Sequence, residues 1–151
     1  ASRTREYHST ALLLPDATVL VAGGGAPGPV NQLNAEIYSP PYLYKADGSL
    51  AERPQIASAP STLTPSTSRF SFTMGSTATV SKVTLVRAGA VTHSANFDQG
   101  FVTVPHRQDG AALSIDVDRP STVLRPGYYL LFAFDAVGVP SVAKMVRVNP
   151  R

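Results

Sequence analysis

From residue 69 to residue 74 the chain reads Arg-Phe-Ser-Phe-Thr-Met, apolar at every second position. A period of two places Phe70, Phe72 and Met74 on one face of a strand and Ser71 and Thr73 on the other. The same alternation predicts a strand at Lys82–Arg87, with Val83 and Leu85 inward. It predicts another in which Leu113, Ile115 and Val117 alternate with Ser114, Asp116 and Asp118. Tyr128–Phe134 is apolar on both faces, the mark of a central strand covered on two sides, and Val142–Val148 closes the series. From about residue 55 onward seven or eight such strands are separated by turn signals, and no helical period is sustained. This spacing argues for an immunoglobulin-like β-sandwich.

The first forty residues have a different texture. Ser9–Leu14 and Thr18–Ala22 are predicted strands around the turn Pro15-Asp16-Ala17. Gly23-Gly24-Gly25 permits positive φ or close backbone approach. Ala35–Ser39 makes a third strand, stopped by Pro40-Pro41. Strand, Leu-Pro-Asp turn, strand, glycines and a Glu-x-Tyr strand resemble a kelch repeat, a unit of about 50 residues that forms one blade of a β-propeller. A single blade cannot bury both of its faces, so this part calls for neighbouring blades from elsewhere. The expected fold class is all-β: one kelch-type blade at 1–45, a linker at 46–54, and an immunoglobulin-like sandwich at 55–151.

Composition adds limits. Hydrophobic residues make up 43% and charged residues 15%, the balance of a folded chain. No apolar run approaches the roughly 20 residues of a membrane helix. The net charge of +3 comes from scattered side chains such as Arg5, Lys45, Arg69, Arg87, Arg119 and Arg147. Without a basic cluster or aromatic platform, nucleic-acid binding is not expected. The sequence contains no cysteine and no tryptophan, which removes disulfides, thiolate metal sites and a cysteine nucleophile within it.

Three histidines remain: His8, His93 and His106. His106, between Pro105 and Arg107 ahead of Asp109-Gly110, reads as an ordinary turn histidine. His8 and His93 stand in more informative surroundings. The ordered motifs are Tyr7-His8-Ser9, Leu12-Leu13-Leu14-Pro15-Asp16, Gly23-Gly24-Gly25, Pro41-Tyr42-Leu43-Tyr44 and Arg53-Pro54. They continue through Thr92-His93, Asp98-Gln99, Pro126-Gly127-Tyr128-Tyr129 and Ala136–Ser141. Together they resemble the C-terminal portion of the radical copper oxidases, the galactose oxidase and glyoxal oxidase family, over essentially the whole chain.

That resemblance implies a mononuclear copper with Tyr7 as axial ligand, and His8 and His93 as its two imidazoles. Imidazole and oxygen donors in a tetragonal set suit Cu(II). It implies oxidation of a small alcohol, aldehyde or sugar substrate by dioxygen to give hydrogen peroxide. Tyr7 would take the substrate's proton, and a second, cysteine-linked tyrosine would carry one of the two electrons. No residue here matches that cross-linked pair, and Ala26-Pro27-Gly28-Pro29 replaces the Cys-x-x-Cys that galactose oxidases carry after the glycines. The implied partner is therefore an N-terminal propeller portion holding the remaining ligand, and the isolated chain is expected to be catalytically silent. A secreted or cell-surface location follows from the resemblance. The alternatives are a non-catalytic propeller–sandwich that binds glycans or proteins, and a free-standing sandwich with an incidental N-terminal arm. Asp98 is either an orienting partner for His93 or a turn residue before Gly100.

Overall fold

The computed structural model describes residues 1–64, 69–117 and 123–150. The first sheet is antiparallel, with β1 (Ser9–Leu13), β2 (Val19–Gly23) and β3 (Ala35–Tyr38) in that order. The turn between β1 and β2 is built by Asp16. Its carboxylate accepts from the Thr18 amide at 3.0 Å and the Thr18 hydroxyl at 2.6 Å, an Asx turn. None of the residues in these three strands is fully buried, so the sheet owns no core of its own. A short 3-10 turn, Pro41–Leu43, follows Pro40, and a tight turn closed from Lys45 N–H to Ser49 O leads to Arg53.

Beyond it lies the sandwich. One sheet comprises β4 (Ile56–Ser58), β6 (Arg69–Met74), β11 (His106–Asp109) and β12 (Ala112–Asp116), ordered β11-β12-β6-β4. The other comprises β5 (Thr62–Leu63), β7 (Lys82–Arg87), β10 (Phe101–Val104), β13 (Gly127–Phe134) and β14 (Lys144–Val148), ordered β10-β7-β13-β14-β5. Pairing is antiparallel except for β14 with β5, where Arg147 lies opposite Thr62 and Val148 opposite Leu63. A separate hairpin of β8 (Val91–Thr92) and β9 (Ala95–Asn96) rises between β7 and β10.

Phe70, Phe72 and Met74 are buried while Arg69, Ser71 and Thr73 face out, as their alternation requires. They meet Val83, Leu85, Leu113, Ile115, Val117, Tyr129 and Leu131 between the two sheets. Each such large apolar side chain contributes about 1.5–3 kcal/mol of burial. Asp118, the outward partner expected after Val117, lies outside the described residues, as does Arg119. β13 is central and covered on both faces. Tyr129, Leu131 and Ala133 enter the main core, whereas Leu130 and Phe132 join a second cluster with Ala17, Leu43 and Ala143. That cluster joins the first sheet to the sandwich. Thr84, on β7 between Val83 and Leu85, is consequently buried as well, instead of facing water.

Polar contacts reinforce the junction. The Arg53 guanidinium donates to the carbonyls of Asp16 (2.7 Å), Pro140 (2.8 Å) and Ser141 (2.6 Å). Ala143 N–H donates to Pro15 O at 2.8 Å, and the Tyr42 hydroxyl to Ala17 O at 2.7 Å. Two local expectations change. His106 opens strand β11, paired with Ile115, instead of sitting in a turn, and its Nε2–H donates to Val80 O at 3.0 Å. The closing strand begins at Lys144 because Ser141 is held by Ala133 O and Ala143 turns to Pro15 O.

Candidate metal centre

Two tight turns carry the candidate ligands. In the first, Ser9 N–H donates to Glu6 O at 2.9 Å and puts Tyr7 and His8 at the turn's centre, His8 at φ 65°. The second is the two-residue loop of the β8–β9 hairpin, with His93 at φ 53° and Ser94 at φ 61°. Left-handed backbone at both central positions is the geometry of a type I′ hairpin, which normally selects Asn-Gly. A side-chain-bearing residue there costs about 1–2 kcal/mol. Such strain concentrates where a structure needs a side chain aimed in one direction.

The glycine triplet seats the first turn. Gly23, Gly24 and Gly25 all have positive φ, and a Cβ on Gly24 would stand 3.1 Å from the Glu6 nitrogen and 3.3 Å from the Ser9 Cβ. Gly25 N–H donates to Tyr7 O at 2.9 Å. Ahead of the turn, Arg5 donates to the carbonyls of Gly23 and Asn34 and pairs with Glu36 at 2.8 Å. Hydrogen bonds from Ser2, and then Arg5, hold the Glu36 carboxyl down at about 2.

The two turns meet. The Tyr7 and His8 ring centroids lie 4.0 Å apart, Tyr7 and His93 5.5 Å, and His8 and His93 4.8 Å. The sequence-predicted trio thus forms one exposed cluster drawn from the first sheet and the sandwich. His8 Nδ1 lies 2.9 Å from Ala26 O, and because a carbonyl only accepts, Nδ1 carries the proton. In the neutral ring Nε2 then holds the free lone pair, the usual arrangement of a ligating histidine. His93 Nδ1 is 2.8 Å from the Thr92 hydroxyl, which can donate or accept, so this contact engages Nδ1 without fixing which ring nitrogen carries the proton. Two imidazoles bound side by side at about 2 Å per nitrogen have ring centres about 4–5 Å apart, and the observed 4.8 Å meets this. Among the described residues no group of three or more histidine, cysteine or carboxylate side chains could hold a metal ion. The cluster itself offers two imidazoles and a phenol, donor types that copper accepts.

Asp98 does not touch His93. It pairs with Arg87 Nε at 2.5 Å and Arg125 at 3.4 Å, and the Arg87 guanidinium lowers its carboxyl below the ordinary range. Arg87 also donates to Arg125 O, Pro126 O and the Tyr129 hydroxyl. Gly127 leaves the room this requires, since a Cβ there would lie 2.6 Å from the guanidinium. The base of the hairpin is tied by Asn96, whose side-chain oxygen accepts from Ala90 N–H and Asp98 N–H. Sequence reasoning missed Ala26, Thr92 and Ser94 as neighbours of the cluster. Their only trace is adjacency to the glycine run and to His93, because no glycine or asparagine marks the His93-Ser94 turn.

The fold is thus an all-β sandwich bearing a two-imidazole, one-phenol cluster on turns at one end. Residues 53–148 match the family model described as galactose oxidase-like, early set domain, and the chain belongs to that family. It is 39% identical over 151 residues to a galactose oxidase of Gibberella zeae, covering 98% of this chain and 22% of that protein. To an aldehyde oxidase named GLOX from Vitis pseudoreticulata it is 33% identical, covering 97% and 30% respectively. A solved fungal alcohol oxidase of the AA5 family, in complex with copper, superposes with a TM-score of 0.87. That protein is 35% identical, with 97% of this chain and 31% of its own covered. The chain thus spans between a fifth and a third of the length of these relatives.

Proposed function

We propose that these residues form the C-terminal part of a copper radical oxidase, converting primary alcohols or aldehydes with dioxygen to the oxidised product and hydrogen peroxide. The observation that carries this is the convergence of Tyr7, His8 and His93 from two separate turns onto one 4.0–5.5 Å ring cluster. In this proposal residues 1–45 are the last kelch blade, 46–54 a linker and 55–151 the sandwich. The partner is an N-terminal propeller portion that brings the cysteine-linked tyrosine, for which these 151 residues contain no cysteine. The substrate is a small alcohol, aldehyde or sugar, and the setting is secreted or cell-surface.

His8 and His93 would hold copper through Nε2, with Nδ1 of each ring engaged by Ala26 O and the Thr92 hydroxyl to fix ring direction. Tyr7 would be the third ligand, its phenolate oxygen placed to accept the substrate hydroxyl proton. Copper, once bound, supplies one-electron redox chemistry and favours the phenolate form of its tyrosine ligand. Half-exposed, Tyr7 is reachable by a substrate approaching from outside the chain.

Cu(II) titration followed by electron paramagnetic resonance tests this. The chain is expected to bind one Cu(II) with hyperfine structure from two nitrogens, and His8→Ala or His93→Ala is expected to lower affinity at least about tenfold. The polypeptide alone should release no peroxide from alcohols or aldehydes. Unchanged affinity in both variants overturns the site and leaves a glycan- or protein-binding module; turnover by this polypeptide alone overturns its dependence on a partner.

A further inference from the structure

One oxygen atom joins the two ligand turns. Glu6 O accepts the Ser9 N–H that closes the Tyr7–His8 turn at 2.9 Å, and it also accepts the Ser94 hydroxyl at 2.9 Å. Ser94 is the residue after His93, and 88 positions separate it from Glu6. The Ser9 hydroxyl stands 3.5 Å from the same Ser94 oxygen. Ser94 adopts φ 61°, where glycine or asparagine is favoured, so a serine here is not explained by turn propensity. The base of the hairpin is tied by Asn96, which accepts from the Ala90 and Asp98 amides, and by the partly exposed Arg87–Asp98 pair; β8 also packs against β1, and at the tip the Ser94 hydroxyl bonds the other ligand turn.

We infer that Ser94 is a positioning residue: its hydroxyl latches the His93 turn to the Glu6 carbonyl and thereby sets the separation of the His8 and His93 rings. The latch itself rests on the structure of the chain; its consequence for copper rests on the function proposed above. Without the hydroxyl, the tip of the hairpin keeps its own backbone pairing and the packing of β8 against β1, but loses its hydrogen bond to the other ligand turn. The two imidazoles then no longer meet in one fixed arrangement.

Ser94→Gly is the informative change, because glycine relieves the left-handed backbone and removes the hydroxyl in one step. Ser94→Ala removes the hydroxyl and keeps the backbone cost. In metal-free protein, nuclear Overhauser effects between the His8 and His93 ring protons are expected in the wild type and should vanish in both variants. Ser94→Gly should melt no lower than the wild type, which separates the latch from general stability. Cu(II) affinity should fall about three- to tenfold, the scale of a single hydrogen bond, with altered nitrogen hyperfine structure. Overhauser effects that persist in both variants overturn the latch. Their disappearance with Cu(II) affinity unchanged overturns its role at the metal. If the wild type binds no Cu(II), the copper proposal falls, and the ring-to-ring Overhauser effects still decide the latch.

Discussion

Replacing Arg53 with methionine keeps most of the side chain's apolar stem and removes the guanidinium that holds three carbonyls. Two of these, on Pro140 and Ser141, belong to buried residues, and the third, on Asp16, belongs to the exposed turn of the first sheet. A charged donor's hydrogen bond contributes about 1.5–3 kcal/mol, and a buried acceptor left unpaired loses about as much as it had gained. Water re-solvates Asp16 O and partly reaches the others, so a net loss of about 3 kcal/mol is expected. For a chain of this size that lowers the melting temperature by about 6–12 °C. Differential scanning calorimetry reads the shift. Amide exchange reads its location, because the Ala143 amide bonded to Pro15 O should lose protection before the amides of β13. Arg53→Lys, which keeps the charge but lacks the planar fork, should recover less than half of the loss. A fall of under about 2 °C for Arg53→Met would show that the three bonds merely replace equal hydration, and that the apolar cluster alone joins the first sheet to the sandwich.

Thr84 offers a change of opposite sign. Its hydroxyl is buried and has no hydrogen-bond partner in the structure, so Thr84→Val should stabilise by about 1–2 kcal/mol in thermal or urea unfolding; destabilisation would mean that a bound water satisfies it. The depressed carboxyls set the acid limb of the stability curve. Asp16, held down first by the Thr18 hydroxyl, Asp98, held down by Arg87, and Glu36, at about 2, all have folded values below their unfolded ones. Their stabilisation is therefore fully present above about pH 5 and is lost progressively as pH falls towards the folded values, a loss nearly complete for Glu36 by about pH 2. A melting temperature that rises as the pH is lowered from about 5 to about 3 would contradict this.

Alternation in sequence revealed the sandwich strands because burial on a pleated sheet is a local, period-two property. Phe70 to Met74 needed no partner to be read, and Tyr128–Phe134 announced two covered faces before either cover was known. Thr84 escaped for the same reason: the strand rule sends it outward, and that face is covered by the cluster joining the first sheet to the sandwich. The trio Tyr7, His8 and His93 was legible through motif resemblance, since nothing local links two loops so far apart. What aims the rings was not legible. Ala26 O and Glu6 O are backbone atoms, identical in every residue type, and their roles exist only once the turns have come together. Asp98 looked like a neighbour of His93 by sequence distance, yet the arginines facing it from β7 and from residue 125 take up its carboxylate.

The parallel pairing of β14 with β5 has a consequence in time. Leu63 emerges from a ribosome long before Val148, and its strand has no place in the five-stranded sheet until β14 lies beside β13. That edge of the sheet is therefore finished only when residues 144–148 are made, and every shorter length of the nascent chain presents an open sheet. Bringing Leu63 and Val148 together closes a long loop, a non-local pairing of the kind that slows folding. A nascent chain stalled before residue 144 would carry β13 with one unpaired side, a template for association with its neighbours. The register that gives the sandwich its boundary thus ties its completion to the emergence of a single strand.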